Sequence, residues 1–273
     1  MKYFIVTDIE GTSGVLDAPH WIYEHSQYKD KAIRLMTLEL NAVIEGIYEA
    51  DPDAEVTAVD GHGSGAIDTE LLDERALYLN MRGLKRPFGL TADYDAAMWV
   101  GQHARAGAKF AHLAHTGSFN VVYKKINDYI SSEFGDVALC AEELGVPVIF
   151  GGGDEAFGEE MHELVPGAVT VAVKRGLQEN DGAGLTTEQY ENYNVASIHI
   201  HPNKARALLK EGAYNAVMKL KTEGKESFKM VNAPKAPYAV TMKFRGNEDI
   251  LEARDDTSVI KALNAPAKWI KSE

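Results

Sequence analysis

The chain has 273 residues, 45% hydrophobic and 25% charged, enough apolar material to bury a core without a metal or disulfide staple. That composition and a lone cysteine exclude disordered, collagen-like and disulfide-rich classes. Asp and Glu outnumber Lys and Arg by 41 to 28, a net charge of −13 that opposes nucleic-acid and membrane-surface partners and leaves carboxylates free to gather around cations.

Tyr3–Thr7 is strand-like, and Asp8 follows too soon for a signal-peptide core. Tyr28–Glu49 carries Ile33, Met36, Leu40, Val43, Ile44 and Ile47 at helical spacing. Glu55–Val59 reads as a strand, Asp73–Leu79 as a helix and Ala97–Val100 as a strand, followed by a short apolar run at Ala111–Ala114. Val137–Leu144 predicts a helix closing at Gly145, with Cys140 a buried inert thiol inside it. Pro147–Phe150 predicts a buried strand running into Gly151-Gly152-Gly153, then a helix over Glu155–Leu164 and a strand over Val169–Val173. Strands separated by helices imply parallel pairing. Pro202–Leu220 reads as one helix with Pro202 in its first turn, Tyr238–Phe244 alternates like a half-wet strand, and Val259–Ile270 is mixed. The expected fold is α/β: a layered, largely parallel sheet flanked by helices over residues 1–195, with a smaller C-terminal α+β portion over 196–273 packed on it. No stretch approaches the ~18 apolar residues of a membrane span, so a cytoplasmic protein is expected.

The chemistry gathers at strand ends. In Phe4-Ile5-Val6-Thr7-Asp8-Ile9-Glu10-Gly11, strand alternation points Asp8 and Glu10 the same way, at the carboxyl end where parallel sheets place ligands. Paired carboxylates repel unless a cation intervenes. Asp60-Gly61-His62-Gly63-Ser64-Gly65 follows the next strand; His62 lies among glycines, and Asp60 either takes the proton of its far nitrogen or holds the loop. That glycine spacing lacks the Lys and the pattern of a phosphate loop. Gly101-Gln102-His103-Ala104-Arg105 ends a third strand. His112 and His115 follow, one of them free to pack, and Ile126-Asn127-Asp128 carries turn chemistry before Glu133.

Together these stretches resemble the bacterial zinc-dependent D-aminopeptidase family. The matching pieces are DIEGTSG at 8–14, DGH at 60–62, GQHARAG at 101–107, the His115 region, and IND at 126–128 followed by Glu133, with weaker matches at Gly153-Asp154, Val171–Lys174 and Pro202-x-x-Ala205. The resemblance implies two zinc ions per subunit: Asp8 bridging them, Glu10 and His62 completing one set of ligands, His103 and Glu133 the other. It further implies His115 as the catalytic side chain outside the metal shell, a small peptide or amide substrate losing an N-terminal D-amino acid, and a ring-shaped homo-oligomer. Two segments depart from the family pattern, Arg175–Gly182 and residues 118–125; both flank the expected pocket and bear on substrate choice. From the residues alone, two other readings stay open. One is a two-metal hydrolase of a lactam or phosphoester, with Arg105, then Lys124 and Lys125, as nearby cations. The other is a non-enzymatic α/β small-molecule-binding protein with ordinary histidines.

Overall fold

The computed structural model describes residues 1–179 and 181–271; Asn180, in the departing segment, lies outside the described residues. In chain order the first elements are β1 (Lys2–Thr7), α1 (Ala18–Trp21), α2 (Lys29–Ala50), β2 (Glu55–Asp60), β3 (Ala76–Asn80), β4 (Ala96–Gln102), β5 (Val121–Ile126) and β6 (Tyr129–Ser131). Then come α3 (Glu133–Leu144), β7 (Val148–Asp154), α4 (Glu155–Leu164), β8 (Val169–Gly176), α5 (Thr187–Tyr193), β9 (Ser197–His199) and α6 (Pro202–Glu223). The chain ends with β10 (Tyr238–Phe244), β11 (Ile250–Asp255), α7 (Val259–Asn264) and β12 (Lys268–Ile270).

The main sheet has seven strands in the order β3-β2-β1-β4-β7-β8-β9, parallel except for β9. β1, β4 and β7 are apolar on both faces, as central parallel strands covered by helices must be. The chain leaves β1 toward β2 and β3, then returns to β4 and continues toward β7, so strand order reverses between β1 and β4. At such a reversal the loops part and leave a crevice beyond the carboxyl ends. A second, antiparallel sheet runs β12-β11-β10-β5-β6. Asn127, at φ 54°, makes the β5–β6 turn and donates to the carbonyls of Lys235 and Pro237. Both sheets draw on either side of residue 195: β9 joins the first, and β10 pairs with β5.

Several local readings need correction. Asp73–Leu79 is not a helix; Ala76–Asn80 adds to β2 as the edge strand β3, where pairing outweighs a short helical spacing. The Ala111–Ala114 run is buried without forming a strand, because Phe110 and Leu113 both take positive φ. α3 begins at Glu133 rather than Val137, since Ser132 caps it by accepting from the Gly135 amide at 2.8 Å. No helix of the described residues is long and apolar enough to cross a membrane.

The loop after β1 is pinned from behind by two buried polar groups and one half-buried one. Glu39 on α2 accepts from the Ser13 amide at 3.0 Å, His199 on β9 accepts from the Gly14 amide at 3.0 Å, and Lys174 on β8 donates to the Val15 carbonyl at 3.3 Å. The opposite wall is equally tight: Gly101 holds φ 72°, and a Cβ there would overlap the Asp8 carbonyl. Gly101→Ala is expected to destabilise the fold by roughly 3 kcal/mol or more in denaturant unfolding; a near-neutral result contradicts this close approach.

Burial pushes the Glu39 carboxyl up to about 8, against the opposing pull of the Ser13 amide and Lys174. The native state therefore holds a proton that the unfolded chain releases, and stability falls as pH rises from the ordinary value of 4.5 toward 8. Glu39→Gln is expected to flatten that slope, changing the wild-type-minus-variant difference on the order of a few kcal/mol between about pH 5 and about pH 9. A pH-independent difference contradicts it.

Candidate metal centre

The ends of β1, β2 and β4 converge at the reversal in strand order. β1 stops at Thr7, so strand alternation does not align Asp8 and Glu10; the turn that follows does. The Ile9 amide donates to Asp8 Oδ1 at 2.9 Å and to Glu10 Oε2 at 3.3 Å, while the Gly11 amide ties the turn to the Gly101 carbonyl at 2.7 Å. His62 follows β2, His103 follows β4, and Glu133 opens α3.

Asp8 stands between the two histidines. His62 Nδ1 lies 3.1 Å from Asp8 Oδ1 and 3.2 Å from Glu10 Oε2. His103 Nε2 lies 3.2 Å from Asp8 Oδ2 and 3.7 Å from Glu133 Oε1. Donor atoms of Asp8, Glu10 and His62 fall within 4.8 Å of one another, as do those of Asp8, His103 and Glu133, and those of Glu10, His103 and His115. The five expected ligands and His115 therefore form one cluster of side chains, with His115 close enough to join a ligand set as well as to stand outside it.

The histidines follow one rule. His62 Nε2 is 3.2 Å from the Ile22 carbonyl, His103 Nδ1 2.9 Å from that of Ala104, and His115 Nδ1 2.9 Å from that of Leu113. A carbonyl only accepts, so these contacts assign the N–H to the far nitrogen in each ring. In a neutral ring the near nitrogen turns a lone pair toward the carboxylates, and in a protonated ring it donates to them. Two lone-pair donors facing each other are repulsive unless a proton or a cation lies between them. His103 Nε2 is buried with no hydrogen-bond partner among the described residues, which is what a ligand atom awaiting a metal looks like.

The protein's own charges tell the same story. Burial disfavours the imidazolium of His62, yet Glu10 and Asp8 outweigh it and push the ring up to about 10. Burial likewise opposes His103, and Glu133 and Asp8 carry it well above its ordinary value. Burial would raise both carboxyls, but His103 and His62 hold Asp8 well below the usual range and His103 brings Glu133 down to about 2. Burial and the neighbouring His103 instead lower His115. His115 stacks on His103 at 4.0 Å between ring centres and on Phe119 at 4.5 Å.

Other expected residues go elsewhere. Asp60 holds its loop, accepting from the Ala66 amide at 2.7 Å and the Tyr78 hydroxyl at 3.1 Å, and does not serve His62. His112 packs edge-on to His199 and bonds the Leu16 carbonyl at 2.9 Å. Arg105 turns away to Glu163 and Glu160, at 3.2 and 3.7 Å. Lys124 is paired with Asp136. Sequence reasoning missed Gln102, whose Nε2 donates to Asp8 Oδ2 at 2.9 Å, and Gly117, whose amide donates to Glu133 Oε1 at 2.6 Å. Gln102 had a signal, being the polar end of an otherwise apolar strand; Gly117 acts through its backbone and had none. A cleft of about 490 Å³ opens over the site, lined also by Glu24, Arg86, Phe88, Ser118 and Phe119.

Residues 1–253 match the peptidase M55 family model, described as D-aminopeptidase. A D-aminopeptidase of Bacillus subtilis (strain 168) is 30% identical over 182 residues; the match spans 65% of this chain and 65% of that protein, just under two thirds of its length. The fold is shared with a solved structure, the zinc-dependent D-aminopeptidase DppA from Bacillus subtilis, described as a self-compartmentalizing protease. The TM-score is 0.80 at 23% identity, covering 97% of this chain and 94% of that one. With the family model spanning nearly the whole chain, this protein belongs to the D-aminopeptidase family.

Proposed function

We propose that the protein is a dinuclear zinc aminopeptidase that releases an N-terminal D-amino acid from short peptides or amides. The observation that carries this is the pair of three-donor sets sharing Asp8. Asp8 would bridge two ions, Glu10 and His62 would complete one, and His103 and Glu133 the other. Nitrogen and oxygen donors without a thiolate suit zinc or a similar divalent ion, and the lone cysteine is buried within α3. When bound, such ions supply Lewis acidity toward the scissile carbonyl and toward water.

The chain's own residues do the positioning. Gln102 orients Asp8, and the Gly117 amide fixes Glu133. His115, its ring plane held between His103 and Phe119 and its Nδ1–H tied to the Leu113 carbonyl, lines the cleft. Its Nε2 lone pair takes a proton from the attacking water and delivers it to the leaving amine, which restores the neutral ring. Arg105, the basic residue expected beside the ligands, is drawn into ion pairs and is not free for a phosphoester. The description of the structural relative as self-compartmentalizing supports a ring-shaped homo-oligomer, restricting access to small peptides in the cytoplasm.

A D-alanyl peptide is expected to be cut, faster than its L counterpart, with activity lost to a chelator and restored by zinc; hydrolysis indifferent to the chelator contradicts the proposal. Asp8→Ala is expected to lower bound zinc and to cut kcat/KM by about 10³-fold or more. His115→Ala is expected to keep its zinc and its thermal stability while kcat falls roughly 10²–10⁴-fold. Loss of zinc in that variant instead makes His115 a ligand.

A further inference from the structure

The cleft is electrically lopsided. Asp8, Glu10, Glu133 and Glu24 line it, and apart from histidines a single basic side chain does, that of Arg86. Arg86 comes from the loop between β3 and β4, and its backbone is clamped by Asn264 at the end of α7. The Asn264 side chain accepts from the Arg86 amide at 3.1 Å and donates to its carbonyl at 2.8 Å. The guanidinium lies over the Phe88 ring at 5.5 Å, and its Nε is 2.9 Å from Asp136, three residues beyond Glu133 on α3.

Lys124 is paired with the same carboxylate, so Asp136 is shared and is not a partner for Arg86 alone. Lys124 is buried at 3% exposure, whereas 29% of the Arg86 side chain is exposed. No hydrogen bond engages the two terminal nitrogens of Arg86 among the described residues. A planar fork of free donors at a cleft wall fits a carboxylate, which it can hold with two parallel hydrogen bonds. A short peptide acid carries a free carboxylate beyond the scissile bond, and Arg86 presents the matching positive charge at the cleft wall.

We propose that Arg86 binds the free C-terminal carboxylate of the substrate, making the enzyme selective for short peptide acids over peptide amides. This rests on the hydrolytic reading above and adds the recognition of the far end of the substrate. The signal was absent from the sequence because Arg86 lies in no motif and reaches the cleft only through Asn264 and Asp136.

The test compares kcat/KM for D-alanylglycine and D-alanylglycinamide in wild type, Arg86→Lys and Arg86→Met. Wild type is expected to favour the acid by about 10- to 100-fold, expressed mainly in KM. Arg86→Met is expected to bring the ratio near one by raising KM for the acid alone, with Arg86→Lys in between. An unchanged ratio in Arg86→Met overturns the proposal. Should that variant fail to fold, wild type still decides, since a wild-type ratio near one overturns it too. Failure of wild type with zinc to cut either peptide overturns the hydrolytic reading instead.

Discussion

The structure is organised around a repulsion. Asp8 and Glu10 are buried side by side at the end of the central strand, and His62 and His103, each tied to a backbone carbonyl through its far nitrogen, turn the other nitrogen toward them; in the neutral ring that nitrogen carries a lone pair. Buried anions facing buried lone pairs are tolerable only with positive charge between them. A proton on each imidazole is one way to supply it, and a divalent cation on each side of Asp8 is the other. The second puts every donor to use and leaves each far nitrogen on a backbone carbonyl, the arrangement that fixes a ligating histidine.

Much of the surrounding fold serves that convergence. The reversal in strand order opens the crevice, Gly101 lets β4 press against the Asp8 backbone, and Glu39, His199 and Lys174 pin the 13–15 stretch from the other side. The second sheet contributes indirectly: Lys124 on β5 meets Asp136 on α3, and Asn264 after β11 holds Arg86. Residues beyond 195 thus shape the cleft without supplying a donor to the metal centre.

How far this was legible depends on where each signal lies. Buried central strands such as Tyr3–Thr7 and Ala97–Val100 read correctly because burial on both faces leaves an unbroken apolar run. β3 did not, because an edge strand with Leu77 at 68% exposure imprints no such pattern. Asp8 and Glu10 were paired correctly through the wrong geometry, a strand face where the chain makes a turn. Arg105 looked available by adjacency to His103, but three residues past the strand end the chain has already turned toward Glu160. Gly117 and Arg86 were illegible, one acting through its backbone and the other held by residues far along the chain.

The most direct test is an anomalous difference map recorded at the zinc absorption edge from crystals of the zinc-loaded protein. Two peaks in each subunit are expected, one against Glu10 and His62 and one against His103 and Glu133, with the Asp8 carboxylate between them. A single peak, or peaks remote from Asp8, would contradict the account.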